Sequence, residues 1–404
     1  MDSFIGLFQN CNQLKFLDLS SFSTNIIYNM NFMFSGCISL TSIILSSFNT
    51  EKVDTIAHMF EGCSSLISLD LSNFNTKNVE NMIFMFKNDE SLEYLDLTNF
   101  DTSNVINMNA LFYNCKSLKN LKISNFNISQ VISLSEMFSN LESLTSIDLS
   151  GFITENVRDM YNMFENCINL KSIDISHFNT KNLYHISGMF KNCKSLTSII
   201  LPKFNKEIPI IMSELFYNCI SLQYTNINDV VTDQIQEIKN IFYNCKSLTS
   251  LDLSNIITNQ IYDMTGLFSG CNSLTYLNIE KFDTSEVTSM KNMFYNCYSI
   301  TSLHINNFNT QSVTDMSYMF YNCSLISNLY LDNFDTPKLT DITSIFQLCS
   351  NLVELYLPLF YTKNCKKYTD AFDGCLNLTL KIDGSKFNLR NYIPKYVDII
   401  DITD

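Results

Sequence analysis

A phenylalanine returns every 26 residues along this chain: Phe8, Phe34, Phe60, Phe86, Phe112, Phe138, Phe164, Phe190, Phe216, Phe242, Phe268, Phe294, Phe320, Phe346 and Phe372. No insertion or deletion separates any two of these fifteen positions. A strict period of this size selects a solenoid, because each unit can bury its apolar face only against its neighbours. A length of 404 residues would otherwise suggest two or three globular domains. The period replaces that expectation with one array over residues 1–378, closed by a capping segment at 379–404 where the register changes to Leu380 and Ile382. Met1 stands where other repeats carry valine, so the array is expected to start inside a repeat, as in a chain truncated at its N-terminus.

Hydrophobic residues make up 46% of the chain and charged residues 16%, which fits a continuous core and not a disordered chain. The formal charge of −14 argues against nucleic acid or an anionic membrane surface as partner. No stretch approaches the roughly 18 consecutive apolar residues of a membrane span.

Counted from the phenylalanine, the unit reads F-x-x-C-x-x-L-x-x-L-x-L-x-x-F-x-T-x-x-V-x-x-M-x-x-M, as in Phe60, Cys63, Leu66, Leu69, Leu71, Phe74, Thr76, Val79, Met82 and Met85. The L-x-L step has the two-residue alternation of a strand. Val79, Met82, Met85 and Phe86 fall on one face of a helix, and Thr76 stands where an N-cap would be. The expected fold is an α/β repeat of about fifteen strand-turn-helix units, with a parallel strand ladder on one side and helices on the other. Between Pro202 and Ile257 the pattern weakens: Pro209 replaces the valine, Thr225 an inward leucine, and Val230 and Ile256 the second phenylalanine.

The segments from Cys63 to Thr76 and from Val313 to Phe320 resemble the BspA-type leucine-rich-repeat family. The resemblance spans residues from about 4 to 378. It implies a leucine-rich-repeat solenoid on a cell surface or secreted, acting in adhesion by binding host or extracellular-matrix proteins. An intracellular scaffold or recognition module, in the cytoplasm, is the alternative, since no signal peptide precedes the array and the cysteines look reduced.

Thirteen of the fourteen cysteines share one repeat position and Cys365 takes the valine position, so all fall in apolar phases and are expected to be buried free thiols. Asp89 stands in a cysteine position and is expected to loosen its turn. Sixteen of the seventeen methionines occupy the two positions read as helical core. His58, His177, His185 and His304 fall at different phases, with no carboxylate or nucleophile partner at a recognisable spacing, and no glycine-rich phosphate loop exists. No enzyme, cofactor or metal ligand is expected.

Function is then left to the outward strand positions. Ten residues after the phenylalanine the early repeats carry Asp18, Asp70, Asp96, Asp148 and Asp174, single carboxylates that do not make a calcium cage. The later repeats carry aromatic and mixed polar groups instead. Tyr276, His304, Tyr330, Glu354 and Tyr356 form the candidate partner site for a protein ligand, bound by a monomeric solenoid.

Overall fold

The computed structural model describes residues 2–229 and 234–403, so Val230 lies outside the described residues. The chain divides into two units, Met1–Asn205 and Lys206–Asp404, each a stack of coils one period long. The described residues make about 14 turns.

One side of each coil is a short parallel ladder built on L-x-L. In the first unit Phe16–Asp18 pairs with Ser42–Ile44, and Tyr94–Asp96 with Asn120–Lys122. In the second, Ser250–Asp252 pairs with Tyr276–Asn278, and four strands run in order from Asn328–Tyr330 through Glu354–Leu357 and Thr379–Ile382 to Asp398–Asp401. Leu69 and Leu71 point inward and are buried, while Ser68 and Asp70 between them face solvent.

The other side corrects the expected helix. Among the described residues the only helical elements are two single 3-10 turns, Ile227–Asp229 and Arg390–Tyr392. The returning segment is a chain of tight turns whose backbone bonds alternate. The N–H groups of Met30, Phe32, Phe34 and Gly36 donate to the carbonyls of Thr55, Ala57, Met59 and Glu61 in the next coil, while those of Met33, Ser35 and Cys37 donate three residues back within their own. Every second amide is thus spent between coils, and the backbone is satisfied without a helix.

Positive φ explains the choice. The residue two before the ladder phenylalanine has φ near 60° in coil after coil, as at Phe32, His58, Phe84 and Asn292, and so does the residue two after it, as at Asn88, Asn114, Asn166 and Asn296. Asparagine and glycine reach this region at least cost, and they fill the second position almost throughout, Leu348 being an exception. A right-handed helix would have to bring both positions back to negative φ. The buried positions also recur at a spacing of three, which a helix of 3.6 residues per turn would rotate off its face.

Thr76 is accordingly no N-cap. These threonines are buried and clip consecutive coils: Thr50 Oγ1 donates to the Asn75 carbonyl at 2.9 Å and accepts the Asn75 N–H at 2.7 Å. Pro337 sits at the second position of a turn closed by Leu339 N–H on the Thr336 carbonyl.

The core is stacked rings. Phe34, Phe60, Phe86 and Phe112 follow one another at centroid separations of 5.4, 5.9 and 5.6 Å. Phe48, Phe74 and Phe100 form a second column at 6.2 and 6.4 Å. Each such contact is worth about 0.5–1.5 kcal/mol beyond the area it buries. In the weak stretch the register shifts between Ile210 and Ile211 where they pair with Ile235–Glu237, and Thr225 keeps an unpartnered Oγ1 in the interior.

Candidate functional site: an outward face and the columns behind it

Stacking carries each repeat position into a column. His304, Tyr330 and Tyr356 succeed one another at equivalent positions, and the pairing of Tyr330 with Tyr356 continues to Lys381. Asn328, Glu354 and Thr379 form the adjacent outward column, separated from the first by the inward Leu329, Leu355 and Leu380. Tyr276 belongs to this second column, two coils before Asn328. Tyr276, His304 and Tyr330 are exposed, whereas Glu354 and Tyr356 are half-buried. All five expected residues therefore face the same side, and four of them, His304 to Tyr356, fall within three successive coils.

Lys381 completes the group. Its Nζ lies 2.7 Å from Glu354 Oε1, and its ammonium is held above the usual lysine value by that carboxylate, with the Tyr330 and Tyr356 phenols nearby. It escaped the sequence reading because the last coil is one residue short, 25 residues separating Tyr356 from Lys381.

The aspartates of the early repeats have a local task. Asp18, Asp70, Asp148 and Asp174 each accept the N–H of the serine two residues on, at 2.9–3.0 Å, and their bonds with that serine hold their pKa values below the usual carboxylate range. Asp96 is further engaged by the Tyr94 hydroxyl and Lys122 Nζ, each at 3.0 Å. The column ends strands by capping the turn that follows. Among the described residues no group of three or more His, Cys, Asp or Glu side chains could hold a metal ion.

Twelve of the fourteen cysteines are buried; Cys11 is exposed and Cys365 half-exposed, against the expectation for those two. The thiols do more than fill space. Cys271 Sγ donates to the Phe242 carbonyl at 3.1 Å, and the same carbonyl accepts the Cys245 N–H at 3.1 Å. The contact recurs from Cys63 to Phe34, Cys115 to Phe86, Cys297 to Phe268 and Cys349 to Phe320. Cysteine suits this position as a small apolar residue with one weak donor for a buried lone pair. Burial pushes the Cys167 and Cys271 thiols up to about 12.

Asp89 leaves its turn intact, contrary to expectation: its N–H still reaches the Phe86 carbonyl, and its own carbonyl accepts the Leu92 N–H. Two histidines have carboxylate neighbours that the sequence did not reveal. His58 Nδ1 lies 2.6 Å from Glu61 Oε2, its ring stacked on Phe32 at 4.2 Å, and His185 Nδ1 lies 3.2 Å from Asp159 Oδ1 in the preceding coil.

A parallel stack of L-x-L coils with an exposed strand face defines a leucine-rich-repeat solenoid. A solved structure shares it: the chain is similar to a leucine-rich repeat protein from Bacteroides ovatus, with a TM-score of 0.57 at 19% identity, covering 98% of this chain and 86% of that one. A leucine-rich cell surface protein from Faecalibacterium prausnitzii matches with a TM-score of 0.40 at 20% identity, over 71% of this chain and 82% of that one. Residues 2–95, 89–204, 210–329 and 298–394 match the family described as "Mycoplasma protein of unknown function, DUF285", and the chain belongs to that family. No curated protein matches it. Among the described residues no helix is long and apolar enough to cross a membrane.

Proposed function

We propose that this chain is a non-enzymatic protein-binding solenoid that works in adhesion at a cell surface or as a secreted protein, and that it engages its partner through the face from Tyr276 to Lys381. The observation that carries the reading is the column His304–Tyr330–Tyr356, flanked by Glu354 and Lys381, on a strand ladder that fixes its geometry. Aromatic groups on a rigid ladder lose little conformational freedom on binding, and tyrosine is enriched among residues that dominate interface energies. The solenoid fold and the resemblance to BspA-type repeats support the assignment to protein binding. Residues 379–404 serve in this reading as the C-terminal cap, with Asp398–Asp401 laid on Thr379–Ile382 and Arg390 paired to Asp401.

The test has two parts. Partners are captured from extracellular-matrix and host-cell proteins with the intact solenoid, and the affinity of an identified one is measured for wild type and for Tyr330→Ala with Tyr356→Ala. Loss of at least about tenfold in affinity is expected for two central aromatic contacts. Unchanged affinity removes the face from consideration. Surface proteolysis of intact source cells separates the compartments: a protected chain would favour the intracellular scaffold, which the twelve buried free thiols would suit.

A further inference from the structure

The four-stranded sheet of the second unit ends in an open strand. Asp398–Asp401 pairs with Thr379–Ile382 on one side and, among the described residues, with no strand on the other. Toward its neighbour, Asp398 N–H donates to the Leu378 carbonyl and Ile402 N–H to the Ile382 carbonyl, each at 2.9 Å. Successive residues of a strand turn their backbone groups to opposite edges, so Ile399 and Asp401 aim theirs toward the open side. Among the described residues none of these two N–H and two C=O groups has a hydrogen-bond partner.

Proteins commonly blunt such an edge with lysine, proline or a bulge, or cover it with a loop. This one keeps an unbroken register and carries Ile399 and Ile400, 37% and 46% exposed. Of its two aspartates, Asp401 is already spent: it pairs with Arg390 and accepts the Gly384 N–H at 3.1 Å and the Thr403 hydroxyl at 2.7 Å. The edge thus offers amides, carbonyls and aliphatic surface, with one carboxylate, Asp398, at its start.

We infer that this edge is the contact between two copies of the chain, paired antiparallel about a two-fold axis. The backbone alternation sets the register. Outward groups must meet outward groups, so Ile399 of each copy exchanges two hydrogen bonds with Asp401 of the other. Ile400 then meets its own counterpart, at the kind of pair where side chains approach most closely. In this register no aspartate faces an aspartate, because Asp398 lies opposite Ile402. A parallel pairing would set the bonding residues of the two strands one apart, which a two-fold axis forbids. The two four-stranded sheets become one of eight strands. Ile400 stands beside Lys381, and Lys381 beside Tyr356, so the outward faces of the two copies become continuous. The contact stands whether or not that face binds a partner, and it replaces the monomer expected from the sequence.

Sedimentation velocity of the full chain over a concentration series reads the association. Wild type is expected to approach twice the mass of one chain as concentration rises. Ile400→Lys sets two ammonium groups face to face and is expected to raise the dissociation constant at least tenfold. Its urea midpoint should stay that of wild type, because the side chain is exposed in a single copy. In a Cys11→Ser background, oxidised Ile400→Cys is expected to form a covalent dimer, its Cα facing its counterpart's at about 4.5 Å. Ile399→Cys is the control, since its counterpart sits two residues off along the opposite strand, beyond disulfide reach. A single-chain mass at every concentration, a dimer that Ile400→Lys leaves intact, equal cross-linking at both positions, or growth beyond two chains each overturns the inference.

Discussion

The carboxyl group of Asp89 accepts the backbone N–H of Cys63, one coil earlier, at 2.8 Å and with no exposure to solvent. It occupies a place where other coils put a thiol, and its Oδ2 has no hydrogen-bond partner. Burial raises its pKa well above the usual carboxylate value, outweighing the Cys63 N–H, and Glu61 adds to the shift. A carboxyl raised in the folded state stabilises the fold relative to its ionised form below the unfolded value of 3.8, and that contribution is lost as pH rises. Each pH unit above this costs about 1.4 kcal/mol until the folded carboxyl itself ionises. Asp89→Cys is therefore expected to be more stable than wild type at neutral pH, with the difference shrinking toward pH ~4. Urea midpoints of both proteins across this range check it; a difference independent of pH would contradict the buried, neutral carboxyl.

The phenylalanine column predicts a large cost for a central gap. Phe164 is fully buried between Phe138 and Phe190, at 5.3 and 5.7 Å. Phe164→Ala is expected to lose about 3–5 kcal/mol in equilibrium unfolding, through lost burial and the cavity left behind. A loss below about 1 kcal/mol would mean that the ring is not core.

Asn166 separates backbone conformation from side-chain bonding. It has φ 59°, donates its amide to Asn140 Oδ1 at 2.8 Å and accepts that of Asn192 at 2.7 Å. Asn166→Gly keeps the conformation and loses two bonds, whereas Asn166→Ala loses both bonds and adds left-handed strain of about 1–2 kcal/mol. The alanine variant should melt lower than the glycine variant. The reverse order would deny that positive φ is the constraint.

Thiol reactivity follows burial. In the native protein Cys11 should react first with a thiol reagent and Cys365 more slowly, leaving twelve thiols to appear only on unfolding. Cys365 is both half-buried and raised to about 12, mainly by burial. Rapid native labelling of Cys167 or Cys271, tracked by mass spectrometry, would contradict the buried column.

The core was legible in the residues because burial keeps a period: Phe60, Cys63, Leu69, Leu71, Val79 and Met85 are all buried, as their spacing demands. The returning segment was misread because Val79, Met82, Met85 and Phe86 suit one helix face as well as a chain of turns. The deciding signal was the asparagine or glycine two residues after the phenylalanine, at Asn10, Gly36, Gly62 and Asn88, which marks a left-handed backbone rather than a helix interior. The outward face was legible by phase for Tyr276, His304, Tyr330, Glu354 and Tyr356, and failed at Lys381, where a shortened coil breaks the count. The roles of the buried threonines and thiols depend on which backbone atom lies one coil away, and no local pattern reports that.

Because alternate amides of each returning segment, such as those of Phe32 and Phe34, find acceptors only in the following coil, no coil is a self-sufficient structure. A repeat made of a true helix could close its own hydrogen bonds before meeting a neighbour; this one cannot. Ordering must therefore begin with two adjacent coils and spread by templating, each new turn reading its conformation from the one before. The growing end carries a row of open donors or acceptors at every stage, so a break in the stack exposes a surface primed to adopt any chain of the same rhythm, including another copy of itself.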